Sequence, residues 1–134
     1  MATDALSSKQ PTAQVTVLIA DDAATVRRAL GQLLAADPRF ALVAVAGDGD
    51  EAASLAADCR PQLAVLDVRM GGGGGPSAAE RIRTASPDTV VVALSALDTP
   101  SSRRRMAAAG AKAYLVKGAT DDLLDRLWGL ATQG

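Results

Sequence analysis

The stretch that decides the fold is VTVLIADDAATVRRAL, residues 15–30. Its apolar run, Val15–Ala20, stops at two adjacent acids, Asp21 and Asp22, and apolar residues then recur every three or four positions. This change of pattern is typical of a buried parallel strand followed by a helix. The chain repeats the change four more times, so the stretch is the first of five strand–helix units.

The five units predict the element bounds. The predicted strands are Val15–Ala20, Phe40–Ala46, Leu63–Leu66, Thr89–Leu94 and Ala113–Val116. The predicted helices are Ala23–Ala36 with the apolar stripe Val26, Leu30, Leu33 and Leu34, a helix capped by Asp50 that runs to about residue 58, Ser77–Ala85, Ser101–Ala109 and Asp121–Thr132. Five alternating units predict the α/β class: a doubly wound, five-stranded parallel sheet with helices on both faces. We expect strands that are apolar on both sides to be covered on both sides.

Polar side chains stand where four of the strands end. They are Asp21 and Asp22, Asp67, Ser95 and Lys117. In a doubly wound sheet of order 2-1-3-4-5, ligands bind at the carboxyl ends of the strands, near the switch point between strands 1 and 3. Carboxylates, a hydroxyl and an ammonium are groups that hold Mg²⁺ and a phosphoryl group. The pattern indicates a phosphoryl acceptor or a phosphate binder. Taken singly, the residues also fit a helix cap, a polar strand end and a solvated lysine.

Composition excludes several function classes. The 134 residues suffice for one domain with a core, and 49% of them are hydrophobic. There is no histidine, which excludes a Ser-His nucleophile pair, histidine metal ligands and a phosphohistidine on this chain. Cys59 is the only cysteine, so an internal disulfide is impossible. A net charge of -1 argues against direct nucleic-acid binding. We expect residues 1–13 to be a flexible polar tail, residues 14–134 to be one domain, and the protein to be cytoplasmic without membrane contact.

Five segments carry a family resemblance: VLIADDAATVRRAL, GDGDEA, LAVLDVRM, VVALSA and AAGAKAYLVKGA. In this order they resemble the receiver domain of bacterial two-component response regulators, which has a flavodoxin-like fold. The resemblance implies phosphoryl transfer to Asp67 from a partner histidine kinase or histidine phosphotransfer protein. It also implies a switch in the face that a downstream protein target contacts. The chain is then not expected to be an enzyme, beyond promoting its own phosphorylation and dephosphorylation.

The resemblance also implies roles for single residues. Mg²⁺ would be held by Asp22 and Asp67 directly, by Asp21 through water, and by the backbone carbonyl of Arg69. Lys117 and Ser95 would hold phosphoryl oxygens, and Tyr114 would be the aromatic switch residue that follows the movement of Ser95.

The glycine run Gly71–Gly75 departs from the family pattern. Because glycine offers no side-chain contacts, we predict a mobile loop with a changed Mg²⁺ affinity or phosphoryl lifetime. Arg69 has the length to reach over the phosphoryl site.

The face formed by residues 101–130 carries Arg103–Arg105 and the acids Asp121, Asp122 and Asp125. It fits either a homodimer with crossed ion pairs or a solvated surface, and exposed pairs contribute little.

Three functions remain open. The first is the phosphoacceptor module, either standing alone or as the receiver part of a DNA-binding transcription regulator. The second is a phosphorylation-independent pseudo-receiver that binds partners. The third is a small phosphatase or hydrolase, for which five short units leave little room for a substrate pocket.

Overall fold

A five-stranded parallel sheet forms the centre of the protein. The computed structural model describes residues 14–119 and 121–133. The strands are β1 (Val15–Ala20), β2 (Phe40–Ala46), β3 (Leu63–Leu66), β4 (Val90–Ser95) and β5 (Ala113–Val116). Their order is β2-β1-β3-β4-β5, which confirms the predicted class and topology. β1 and β3 are neighbours, so the ends of both strands meet at the switch point.

Five helices cover the sheet on both faces. They are α1 (Ala24–Ala36), α2 (Gly49–Cys59), α3 (Gly74–Ala85), α4 (Pro100–Ala108) and α5 (Leu123–Thr132). One core cluster joins alternate strand residues to α2, α3 and α4, and it is rich in alanine. The other joins the opposite strand faces to α1 and α5, and larger side chains such as Leu34 and Leu127 fill it. Small residues on the first face let three helices approach the sheet closely.

Two expectations about burial are wrong. Leu33 is 52% exposed, because Leu30 and Leu34 supply the buried face of α1. β2 is not covered on both sides: Val43 and Val45 are 42% and 41% exposed. β2 lies at the sheet edge, and its register with β1 shifts so that Leu42 and Ala44 find partners while Val43 is skipped. Edge position and this bulge turn apolar side chains toward solvent.

Helix starts also differ from the predicted ones. Asp48, not Asp50, caps α2: its side chain accepts a hydrogen bond of 2.8 Å from the Glu51 N–H. α3 begins at Gly74 rather than Ser77, so the glycine run is partly helical and its free part is shorter than predicted. Similarly, α5 begins at Leu123 rather than Asp121. Backbone hydrogen bonds define these starts, and they lie up to three residues before or after the residues that the side-chain pattern marks.

The predicted tail, residues 1–13, lies outside the described residues. Within the described part of the chain, no helix is long and apolar enough to cross a bilayer.

Candidate functional site

Three carboxylates converge at the carboxyl edge of the sheet. The Asp67 N–H donates to the Ala20 carbonyl at 2.9 Å, which continues the β1–β3 ladder one step beyond the strands. This brings the side chain of Asp67 beside Asp21 and Asp22, and one oxygen of each of the three acids lies within 4.8 Å of the others. Asp21 and Asp67 are buried, whereas Asp22 is exposed. The predicted gathering of these acids is therefore present.

Lys117 reaches the same cluster from the end of β5. Its Nζ lies 2.5 Å from Asp21 Oδ2 and 3.5 Å from Asp67 Oδ2. Burial acts to lower the pKa of Lys117, but the hydrogen bond to Asp21 and the charges of Asp67 and Asp21 outweigh it, so the pKa is raised above its usual value. The ammonium stays protonated and offsets one of three negative charges. A solvated lysine is thus the wrong interpretation of Lys117.

The backbone orients two of the carboxylates. Asp67 Oδ1 accepts a hydrogen bond of 2.8 Å from the Val68 N–H, and Asp21 Oδ1 accepts one of 2.9 Å from the Ala23 N–H. Ala23 is the N-cap of α1, and no side chain caps that helix. Asp21 therefore tightens the turn before α1 but does not serve as its cap, which corrects the capping alternative. The oxygens that face Lys117 are the second oxygens of each acid.

Ser95 and Tyr114 both form a hydrogen bond with the backbone of Leu97. Ser95 Oγ accepts a hydrogen bond of 3.1 Å from the Leu97 N–H, and the Tyr114 hydroxyl donates to the Leu97 carbonyl. Ser95 is buried, and Tyr114 is partly buried against the α2–α3–α4 core cluster. The Arg103 guanidinium lies 4.9 Å from the centre of the Tyr114 ring, and its Nε lies 2.6 Å from Asp98 Oδ1. The backbone of Leu97 thus links Ser95 and Tyr114, the two residues for which the family resemblance implies a switch.

A cleft of about 450 Å³ opens over the acids. It is lined by Asp22, Asp67, Arg69, Ser95, Ala96, Leu97 and Lys117. Arg69 is exposed at its rim, as the sequence suggests for a side chain that reaches over the site. Asp21 does not line this cleft, but it is paired with Lys117, which does.

Sequence reasoning missed three contributors to the site. Leu97 and Val68 act through their backbone groups, which residue type does not reveal. Arg27 Nη1 donates to the Asp21 carbonyl at 2.8 Å, a contact that the sequence patterns do not predict. Its place near the start of α1, six residues after Asp21, is the only signal that points to this contact.

The donor set fits a hard divalent cation. All three clustered ligands are carboxylate oxygens, and after Lys117 is counted the cluster retains two excess negative charges. Oxygen ligands and uncompensated charge favour Mg²⁺ over softer metals.

Comparison with known proteins agrees with this geometry. The family model of the response regulator receiver domain matches residues 17–127. The chain belongs to this family. The signal receiver domain of NarL from Mycobacterium tuberculosis superposes with a TM-score of 0.78 at 30% identity, over 87% of this chain and 98% of that domain. This receiver domain therefore shares both sequence and fold with parts of two-component systems.

Two curated relatives show the proteins in which similar domains occur. A protein-glutamate methylesterase/protein-glutamine glutaminase of Anaeromyxobacter dehalogenans is 38% identical over 81% of this chain and 32% of the relative. The DNA-binding transcriptional activator DevR/DosR of Mycobacterium tuberculosis is 36% identical over 77% of this chain and 48% of the relative. The chain thus spans about a quarter to a half of the length of the curated relatives it matches. In both of them the receiver is only one part of the protein.

Proposed function

We propose that this receiver domain accepts a phosphoryl group on Asp67. The observation that carries the proposal is the placement of Lys117, whose ammonium lies between Asp21 and Asp67 at the floor of an open cleft. A carboxylate is a competent nucleophile when its charge is managed and its geometry is fixed. Val68 engages Oδ1 of Asp67, so Oδ2, on the Lys117 side, is the freer oxygen for attack.

The proposed step is a displacement at phosphorus. A bond forms between an oxygen of Asp67 and the phosphorus of a phosphohistidine, and the phosphorus–nitrogen bond of the donor breaks. Its electron pair stays on the donor imidazole, which takes up a proton. Lys117 offsets charge on the phosphoryl oxygens, and the Ser95 O–H is free in direction to donate to one of them, because Ser95 Oγ accepts from Leu97. Positioning and charge supply most of the rate in such transfers.

The residues that would hold Mg²⁺ are Asp21, Asp22 and Asp67, together with the backbone carbonyl of Arg69. When bound, the ion supplies positive charge that offsets repulsion between the carboxylates and an incoming phosphoryl group.

The switch is proposed to run through Leu97. A phosphoryl group on Asp67 attracts the Ser95 hydroxyl, and a movement of Ser95 loosens its hydrogen bond to the Leu97 N–H. The Leu97 carbonyl then shifts relative to the Tyr114 hydroxyl that binds it. Tyr114 lies on β5, beside α4, so its rearrangement changes the face that α4, β5 and α5 present.

Partners follow from this chemistry. The chain has no histidine, so the phosphohistidine must come from a partner, a histidine kinase or a histidine phosphotransfer protein of the cytoplasm. A downstream protein target is proposed to bind the switched face. Two residues of the predicted homodimer pairs are already engaged within the chain: Arg103 with Asp98, and Asp125 with Arg39. The homodimer stays a prediction.

The test is the intact mass of the protein after incubation with Mg²⁺ and a small phosphodonor, acetyl phosphate. We expect the wild type to gain one phosphoryl group and Asp67→Asn to gain none. Asp88→Asn, an exposed acid in a turn outside the cleft, is the matched control and should behave as wild type. A chelator should abolish the gain.

No gain in folded wild type refutes the proposal and favours the pseudo-receiver. A gain in Asp67→Asn refutes the assignment of the acceptor.

A further inference from the structure

The glycine loop beside the site is held by its backbone. The glycine run Gly71–Gly75, predicted to be mobile, contacts the first turn of α2. The Gly49 N–H donates a hydrogen bond to the Gly71 carbonyl at 2.9 Å. A Cβ built on Gly49 would lie 2.7 Å from the Gly72 carbonyl oxygen and 3.1 Å from that of Gly74. Three carbonyls of the loop thus pack around the start of α2, where helix N–H groups and the helix dipole favour negative charge.

One side chain completes this attachment. Arg81, on α3, donates from Nη2 to the Gly72 carbonyl at 3.0 Å and from Nη1 to Asp50 Oδ1 at 2.8 Å. The guanidinium fork therefore ties the loop to both α2 and α3. The side chains of Arg81 and Asp50 are 41% and 72% exposed, so their ion pair alone contributes little. The pair instead orients the Arg81 guanidinium toward the Gly72 carbonyl.

The other end of the loop is anchored next to the phosphoacceptor. The Gly75 N–H donates to the Val68 carbonyl at 2.8 Å, and a Cβ on Gly75 would collide with the Asp67 carbonyl. Residues 69–74 therefore form a loop that the hydrogen bond between Gly75 and Val68 closes and that Arg81 holds at Gly72. Arg69, whose carbonyl is the proposed metal ligand, is the first residue of this segment. Two residues, Met70 and Gly71, separate it from Gly72, which Arg81 holds.

We infer that Arg81 is a positioning residue for the cation site, acting through the Gly72 carbonyl and the loop to orient the Arg69 carbonyl. The inference rests on the proposed function for the identity of the cation. It explains how a loop of glycines, which lose the most freedom when they become ordered, keeps a ligand in place. Arg81 lies on α3 and does not line the cleft over the clustered carboxylates.

The experiment measures Mg²⁺ affinity without phosphorylation. The unfolding temperature of the full chain is followed across a Mg²⁺ titration, and the dissociation constant is obtained from its concentration dependence. Arg81→Met removes the fork. Arg83→Met removes the same charge from an exposed position of the same helix and serves as the control. We expect Kd for Mg²⁺ to rise about fivefold in Arg81→Met and to change less than about twofold in Arg83→Met.

A purely structural role gives a different result. In that case Arg81→Met lowers the unfolding temperature without Mg²⁺ but leaves Kd at the wild-type value, and the inference is overturned. If Arg81→Met folds poorly, Asp50→Asn provides the second test, because it removes the group that aims Arg81 and should raise Kd in the same direction. Wild-type Kd in Asp50→Asn would then overturn the inference.

Failure of the proposed function is recognised separately. If the wild type binds Mg²⁺ but gains no phosphoryl group from acetyl phosphate, the acceptor proposal fails and the Arg81 comparison still stands. If the wild type shows no Mg²⁺ dependence at all, the positioning role of Arg81 is overturned as well.

Discussion

Asp22→Asn should stabilise the protein in the absence of Mg²⁺ and remove most of its response to Mg²⁺. The carboxylate oxygens of Asp21, Asp22 and Asp67 lie within 4.8 Å of one another, and Lys117 offsets only one charge. Two unit charges at this distance repel by about 0.9 kcal/mol in bulk water and about 3.5 kcal/mol at an effective dielectric constant of 20. The cluster is therefore under electrostatic strain until a cation binds.

The expected gain lies near the lower value, because Asp22 is the exposed member of the cluster. Asp22→Asn removes two repulsions and some attraction to Lys117, which leaves a net stabilisation of about 1 kcal/mol. For a domain of this size, that corresponds to an unfolding temperature about 3–5 °C higher. With Mg²⁺ at a hundred times its Kd, the wild type should gain about 2.7 kcal/mol, and Asp22→Asn should gain less than about 1 kcal/mol.

Urea unfolding of both proteins, with a chelator and at several Mg²⁺ concentrations, measures both effects. Asp88→Asn is again the control for removing an exposed carboxylate, and it should change neither quantity. The reasoning is refuted if Asp22→Asn is less stable than wild type in chelator. It is refuted equally if the two proteins gain the same stability from Mg²⁺.

Three further predictions concern contacts of Gly75, Tyr114 and Lys117. Gly75→Ala should cost about 1–3 kcal/mol in urea unfolding, because its Cβ meets the Asp67 carbonyl, and a loss below about 0.5 kcal/mol would contradict this contact. Tyr114→Phe should cost about 1 kcal/mol by losing the hydrogen bond to Leu97, with wild-type stability as the contrary outcome. The folded-state pKa of Lys117 is raised, so its contribution to stability should be complete below about pH 10.5 and fall as pH rises through the folded-state pKa. Comparing wild type with Lys117→Gln across alkaline pH measures this, and a difference that stays constant to pH values well above the usual lysine pKa would exclude it.

Strand positions were predictable because burial leaves a local pattern. A strand covered on both faces has a continuous apolar sequence, and four of the five apolar runs here end at or next to a polar residue of the site. β1, β2, β3 and β5 have their predicted bounds, and β4 differs by one residue at each end. Exposure of Val43 and Val45 could not be read from the same pattern, because an edge strand and a central strand can carry similar residues.

The glycine run shows where residue type misleads. Glycines offer no side-chain contacts, which is why the sequence predicts a mobile loop, and the structure adds contacts that the carbonyls of Gly71 and Gly72 make. Close approach of α2 to the loop even requires glycine at Gly49, since a Cβ there would meet the Gly72 carbonyl. Residue type does not predict contacts made by backbone carbonyls, nor which groups of α2 and α3 will bind them.

The sequence by itself determined the fold class, the strand order expected for it and the set of residues at the sheet edge. It did so because these follow from patterns within each strand and helix and from the rule that parallel strands end at one edge. Tertiary structure alone decided which atoms meet: Lys117 with Asp21, across 96 positions of the chain, and Ser95 with Tyr114 through Leu97. The periodicity of apolar residues indicates which face of each element is buried. Distances between side chains of separate elements depend instead on the register and packing of the whole sheet.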